Sequence, residues 1–239
     1  MKASRAVASS RRRIQRGRIS WETMGASAGI WAVLWLTIGY AIVATTVADP
    51  GSADADYVRA LVAERMKWEW VTLVRLVGGA LVLWFAGTLA GRLRMVEGEP
   101  GRLAGAAFGP AVVWAGVWLL SALFNSSAIM LATGSGDHAG ARLAAVLARD
   151  TPLVLTASVM FTVLLATALT ARKFGGFPSS YTNLTSFLAI AFLVLALVDW
   201  YGSWNLSALI VALAFIWMAV TSVLLVRGFN ALDSPQVAS

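Results

Sequence analysis

The sequence predicts an all-α protein, a polytopic membrane bundle of six transmembrane helices with both termini cytoplasmic. Three observations predict it. Of the 239 residues, 59% are hydrophobic and 13% are charged, whereas soluble domains carry about 25% charged residues. The mean hydropathy is +0.73. The apolar residues gather into runs of around 20, the length that crosses roughly 30 Å of hydrocarbon at about 1.5 Å per residue. The third observation is the charge bias between alternate loops, taken up below.

The runs place spans at 26–48, 69–91, 104–130, 151–171, 183–201 and 205–226. Residues 1–20 form a basic tail poor in apolar side chains, expected to be disordered and drawn to anionic lipid headgroups. Residues 21–230 form the membrane domain, and 231–239 a short cytoplasmic tail. The stretch SRRRIQR resembles a twin-arginine export signal, but the apolar run after it exceeds the roughly 7–15 residues of a signal-peptide core. Pro50 and Gly51 end the first span, and 53–66 reads as a short surface helix. Between the third and fourth spans, Gly-rich turn chemistry precedes 141–149. There Leu143, Val146 and Leu147 recur at helical spacing beside Arg142 and Arg149, as in a helix lying along the membrane interface. The segment DWYGSWN between the last two spans reads as a tight turn with Trp and Tyr at headgroup level.

Charge sets the orientation. Thirteen of the 19 basic residues fall on one side: seven in the tail, then Arg92, Arg94 and Arg102, Arg172 and Lys173, and Arg227. Such a bias marks the cytoplasmic face of a bacterial inner membrane. Acidic residues such as Asp54, Asp56, Glu64, Asp150 and Asp199 fall to the other side. The net charge of +7 is thereby explained by topology, and nucleic acid is not expected as a partner.

Three stretches carry a resemblance: RLRMVEGEPGRLA, FGGFPSSYTNLTSF and WNLSALIVALAFIWMAVTSVLLVR. With Glu97–Gly101, Trp204–Asn205 and Trp217, the chain resembles an actinobacterial family of six-span integral membrane proteins over about residues 70–228. Pro178, Ser179 and Ser180 depart from that family's more usual Pro-Arg-Trp-Leu-Gly wording. The resemblance implies architecture and a membrane location, and carries no catalytic residue across.

Several chemistries lack their residues. The chain has no cysteine and one histidine, His138, in a loop, so thiolate catalysis, Cys-ligated metal and bis-His haem are excluded. No cofactor or metal is expected. Lys2, Lys67 and Lys173 lie at a terminus or in loops, away from any Schiff-base position within a span. Ser135 near His138 sits in a Gly-rich aqueous loop without a nucleophile elbow. No P-loop or dinucleotide fingerprint occurs, and no catalytic residue is assigned.

One residue stands out. Arg75 lies within the second span, where a guanidinium costs about 2.5–3.5 kcal/mol on insertion scales. At about 100° per residue, Trp68, Thr72, Gly79, Val82, Ala86 and Ala90 share its face, opposite Leu73, Val77, Leu81 and Trp84. Small residues mark helix contact, so Arg75 is expected to face the bundle interior. The candidate partners at its depth are Asp199, Asp150 and Asn125. Ser121, Thr156 and Asn205 stand in the same half, and Tyr40, Trp200, Tyr201 and Trp204 are candidate walls. The expected arrangement is an ion pair of Arg75 with Asp199 or Asp150; the competing one is an outward-facing polar pocket holding an anionic group. Spacings such as Gly25-x3-Gly29, Gly87-x3-Gly91 and Gly101-x3-Gly105-x3-Gly109 are expected to give close packing within the bundle. The chain thus reads as a non-enzymatic scaffold, sensor or accessory subunit. Its expected partners are the lipid bilayer, anionic lipid at the tail, and another membrane protein or a second copy. The alternative is a small-solute or lipid transporter built around Arg75.

Overall fold

The computed structural model describes residues 21–45, 53–201 and 206–232, without the side chains at 44, 199–201, 207 and 229–232. The basic tail, Pro50, Gly51 and the Trp204–Asn205 pair lie outside the described residues. Helices follow in the order α1 (Trp21–Ala44), α2 (Asp54–Ala63), α3 (Arg65–Glu97), α4 (Arg102–Met130), α5 (His138–Phe174), α6 (Ser179–Tyr201) and α7 (Ser207–Leu232). A π-helical turn, Leu131–Ser135, prolongs α4. All but α2 are long and apolar enough to cross a membrane. The protein is therefore an all-helical integral membrane bundle of six spans.

The expected helix along the interface at 141–149 is not a separate element. It forms the first turns of α5, which continues through Pro152 for 37 residues, about 55 Å. The reason lies in the small residues between the leucines. Ala141, Ala144, Ala145 and Ala148 are buried while Leu143 and Leu147 face outward, so the helical stripe runs on in phase with the span. Asp137 starts the helix by accepting the Gly140 N–H at 3.0 Å.

Helix α2 forms within the stretch 53–66 and packs onto this extension. Tyr57 and Leu61 join Trp68, Ala128, Ile129, Ala144 and Ala145 in an apolar cluster separate from the main core. Arg142 pairs with Asp54 above it. Helix α2 thus covers the part of this end formed by α5, the π-helical turn and the start of α3.

The opposite, basic end is made of short loops whose spelling has local causes. The Glu97 carboxylate accepts the N–H groups of Leu103 at 3.0 Å and Ala104 at 2.9 Å, which have no partner in the first turn of α4. Gly98 and Gly101 adopt φ of 79° and 65°, where side chains are disfavoured. Glu97–Gly101 is therefore a built turn that joins α3 to α4. Past α5, Phe177 stacks on Tyr181 at 5.2 Å, and Tyr181 shares a 2.9 Å hydrogen bond with Thr221. Trp217 donates to Thr185 at 3.3 Å. These bonds tie α6 to α7, although α6 leans chiefly on α5.

Laterally, α4 packs most extensively on α5 and α3, and α1 on α3 and α7. Close approach of α1 depends on glycine. A Cβ at Gly25 would collide with Thr88 and Trp84, and one at Gly29 with Ser222 and the Phe85 ring. The other small-residue spacings behave differently from expectation. Gly87, Gly91, Gly105 and Gly109 face open space, so they make no close contact within the bundle. This contrast predicts that Gly29→Ala destabilises the detergent-solubilised protein by about 1–3 kcal/mol through overpacking. Gly105→Ala is neutral or raises stability by up to about 1 kcal/mol. Equal effects of the two in thermal unfolding would contradict the assigned packing.

Candidate functional site

Arg75 is 6% exposed. Its face of α3 is the expected one: Trp68, Gly79, Val82 and Ala86 are buried with it, while Leu73 and Trp84 face outward. Among the described residues its hydrogen-bond partner is a backbone oxygen. Arg75 Nη1 donates to the carbonyl of Ala148 on α5 at 3.1 Å.

That carbonyl is available because of Pro152. In an α-helix the oxygen of residue 148 accepts the N–H of residue 152, and proline has none; its ring also crowds the carbonyl four residues back. Pro152 is buried inside α5, so the freed oxygen opens toward α3 and α4. Two donors reach it: Arg75, and the Ser121 hydroxyl from α4. Three helices meet on one oxygen atom.

A second polar joint lies beside the first. Asn125 of α4 donates through Nδ2 to the Trp68 carbonyl at 2.8 Å and to Thr72 Oγ1 at 2.7 Å. One turn past the proline, Thr156 donates to the Pro152 carbonyl and receives Trp114 Nε1 at 3.1 Å. Tyr40 of α1 lies within electrostatic range of the guanidinium and meets Trp118 edge-on at 5.9 Å. Arg75 and Ser121 therefore converge on one oxygen, whereas Asn125 and Thr156 bond to other partners on α3, α4 and α5.

Asp150 does not join them. Its carboxylate is held by the neighbouring Arg149, at 2.6 Å from Nε and 3.2 Å from Nη2. Two residues beyond Ala148 on the helix, Asp150 stands about 200° around the axis from it, so it cannot share Ala148's face. Glu69 likewise pairs with Arg65 at 2.6 Å. Among the described residues no carboxylate pairs with Arg75. Asp199 falls in the last turn of α6, and its side chain lies outside the described residues, as do those of Trp200, Tyr201, Trp204 and Asn205.

The competing reading, an outward-facing polar pocket at Arg75, has the side chains of its candidate walls Trp200, Tyr201 and Trp204, and that of Asn205, outside the described residues; among those described, Arg75 is buried. Two cavities among the described residues lie elsewhere, one lined by Met66, Glu69, Trp70 and Leu73 and one at the basic end. Within the joint, Asn125 Oδ1 and Trp68 Nε1 are buried without a hydrogen-bond partner. The part sequence reasoning missed is the pairing of Pro152 with Ser121 and Arg75. Its signal was present: a proline inside a span leaves a carbonyl four residues earlier for a donor from another helix.

No protein-family model, curated protein or solved structure matches this chain.

Because the Arg149–Asp150 pair is some 40% exposed, Asp150→Asn is expected to change unfolding stability by less than about 1 kcal/mol. A loss of about 3 kcal/mol or more, the cost of breaking a buried ion pair, would place Asp150 on Arg75 instead.

Proposed function

We propose that the chain is a non-catalytic multi-pass protein of a bacterial cytoplasmic membrane, with both termini in the cytoplasm. On this reading it works as a scaffold, sensor or accessory subunit by binding lipid or another membrane protein. The observation that carries the reading is the engagement of Arg75 with the Ala148 carbonyl. An intramembrane charge is a functional candidate by default, and here its fork serves to join helices. The concentration of Arg and Lys in alternate loops supports the orientation. The open glycines at 87, 91, 105 and 109 support a close helix partner, since small residues let backbones approach.

A transporter is the second reading. It is favoured by the unpaired Asn125 Oδ1 and Trp68 Nε1, and by a proline-interrupted span beside a cation, the kind of break that builds transport sites. Arg75→Lys separates the two. A structural joint predicts a thermal midpoint lowered by a few degrees, with the same co-purifying small molecules by native mass spectrometry. Transport predicts an unchanged midpoint with loss of a bound solute, and that outcome would overturn the scaffold reading.

A further inference from the structure

At the basic end, a cavity of about 280 Å³ opens between the C-terminal turns of α3 and α7 and the loop entering α6. Arg92, Arg227, Gly176, Phe177, Pro178 and Leu224 line it, among others. Its volume lies just below the roughly 300–1,000 Å³ of drug-sized ligand pockets, which suits a headgroup fragment. Arg92 is half-buried and Arg227 exposed. Arg92 Nη2 lies beside Gly228, 3.9 Å from where a Cβ at that position would stand, an ordinary contact distance. Both arginines line the same opening, and among the described residues neither pairs with a carboxylate.

Two cations that line one opening, with no carboxylate paired to either among the described residues, favour an anion between them. The entry to α6 adds to this. Pro178 lines the cavity and its carbonyl accepts the Thr182 N–H at 3.0 Å, so the first-turn N–H groups that follow it have no intrahelical acceptor. A helix start of this kind attracts anions. The remaining wall is apolar, with Phe177, Leu224 and Leu225. We infer that this cavity binds a phosphate-bearing anion, the headgroup of an anionic phospholipid, with Arg92 and Arg227 as the phosphate ligands. Guanidinium forks match phosphate oxygens bidentately, and the apolar wall accommodates the start of the acyl region. A free phosphate shares the recognised chemistry but makes no use of Phe177 and Leu224.

This site deepens the lipid-binding reading proposed above and rests on it. The test is native mass spectrometry of the full chain in detergent, titrated with phosphatidylglycerol and separately with inorganic phosphate. Wild type is expected to bind phosphatidylglycerol about tenfold or more tightly than Arg92→Gln/Arg227→Gln, the loss that follows from removing charge-assisted hydrogen bonds. Arg227→Gln alone, at an exposed position, is expected to lose part of the affinity without loss of fold, as checked by an unchanged thermal midpoint. Arg172→Gln, on the same end but outside the cavity, is expected to bind as wild type does. Displacement of the lipid by millimolar phosphate would assign the site to the free anion; resistance to displacement assigns it to the headgroup. Equal binding by wild type and the double variant overturns the proposal, as does an equal loss in Arg172→Gln, which would mean diffuse attraction. Lipid retained equally by all variants removes this site but leaves the non-catalytic reading standing. Solute transport by the wild type would overturn that reading and leave the site untouched.

Discussion

The structure depends on the contact between Arg75 and the carbonyl of Ala148. Each half is unfavourable alone. A guanidinium within a span costs about 2.5–3.5 kcal/mol, and a proline inside a helix costs about 3 kcal/mol or more, partly through the carbonyl it leaves without a donor. Together they offset each other, because the orphaned acceptor created by Pro152 is where the buried donor needs one. A hydrogen bond from a charged donor contributes about 1.5–3 kcal/mol, comparable to either penalty. Ser121 takes part in the same oxygen, so the joint includes α4 as well.

The rest of the bundle follows from where that joint sits. It pins α3, α4 and α5, which also make the most extensive pairings in the fold. Above it, the extension of α5 carries α2 and the small cluster around Tyr57, Leu61 and Trp68. Asn125 links the two levels through the Trp68 carbonyl. Below it, packing becomes apolar around Trp114, Trp118, Phe192 and Trp217, and the basic end is left with short glycine-built turns. One end therefore carries the short helix α2 packed on α3 and α5, while the other keeps an open cationic cavity.

Much of this was legible in the sequence. Six apolar runs sufficed for the spans, and the 100° arithmetic around Arg75 turned the right face of α3 inward. The partner was not legible by charge matching. Looking for a carboxylate leads to Asp199, whose side chain lies outside the described residues, and to Asp150, whose carboxylate is taken by Arg149 next to it; among the described residues the acceptor is a backbone oxygen, which composition does not display. The extension of α5 was missed for a related reason. Gly136, His138, Arg142 and Arg149 interrupt the hydropathy of 136–149, while the alanine stripe at 141, 144, 145 and 148 carries the helix through. Glycine spacing read alone also misled, since Gly25 and Gly29 are crowded and Gly87 and Gly105 are open. Spacing reports that helices are able to approach, and the neighbouring side chains decide whether they do.

The most direct test is a double-mutant cycle of Arg75→Ala and Ser121→Ala, measured by reversible unfolding in detergent in two backgrounds, Pro152 and Pro152→Ala. With Pro152, the double variant is predicted to lose about 1–2 kcal/mol more than the sum of the singles, because the Ala148 carbonyl is orphaned only when both donors are gone. With alanine at 152, the helix supplies its own N–H to that oxygen, and the excess is predicted to fall close to zero. Additive losses with Pro152, or the same excess in both backgrounds, would contradict the joint on which the structure depends.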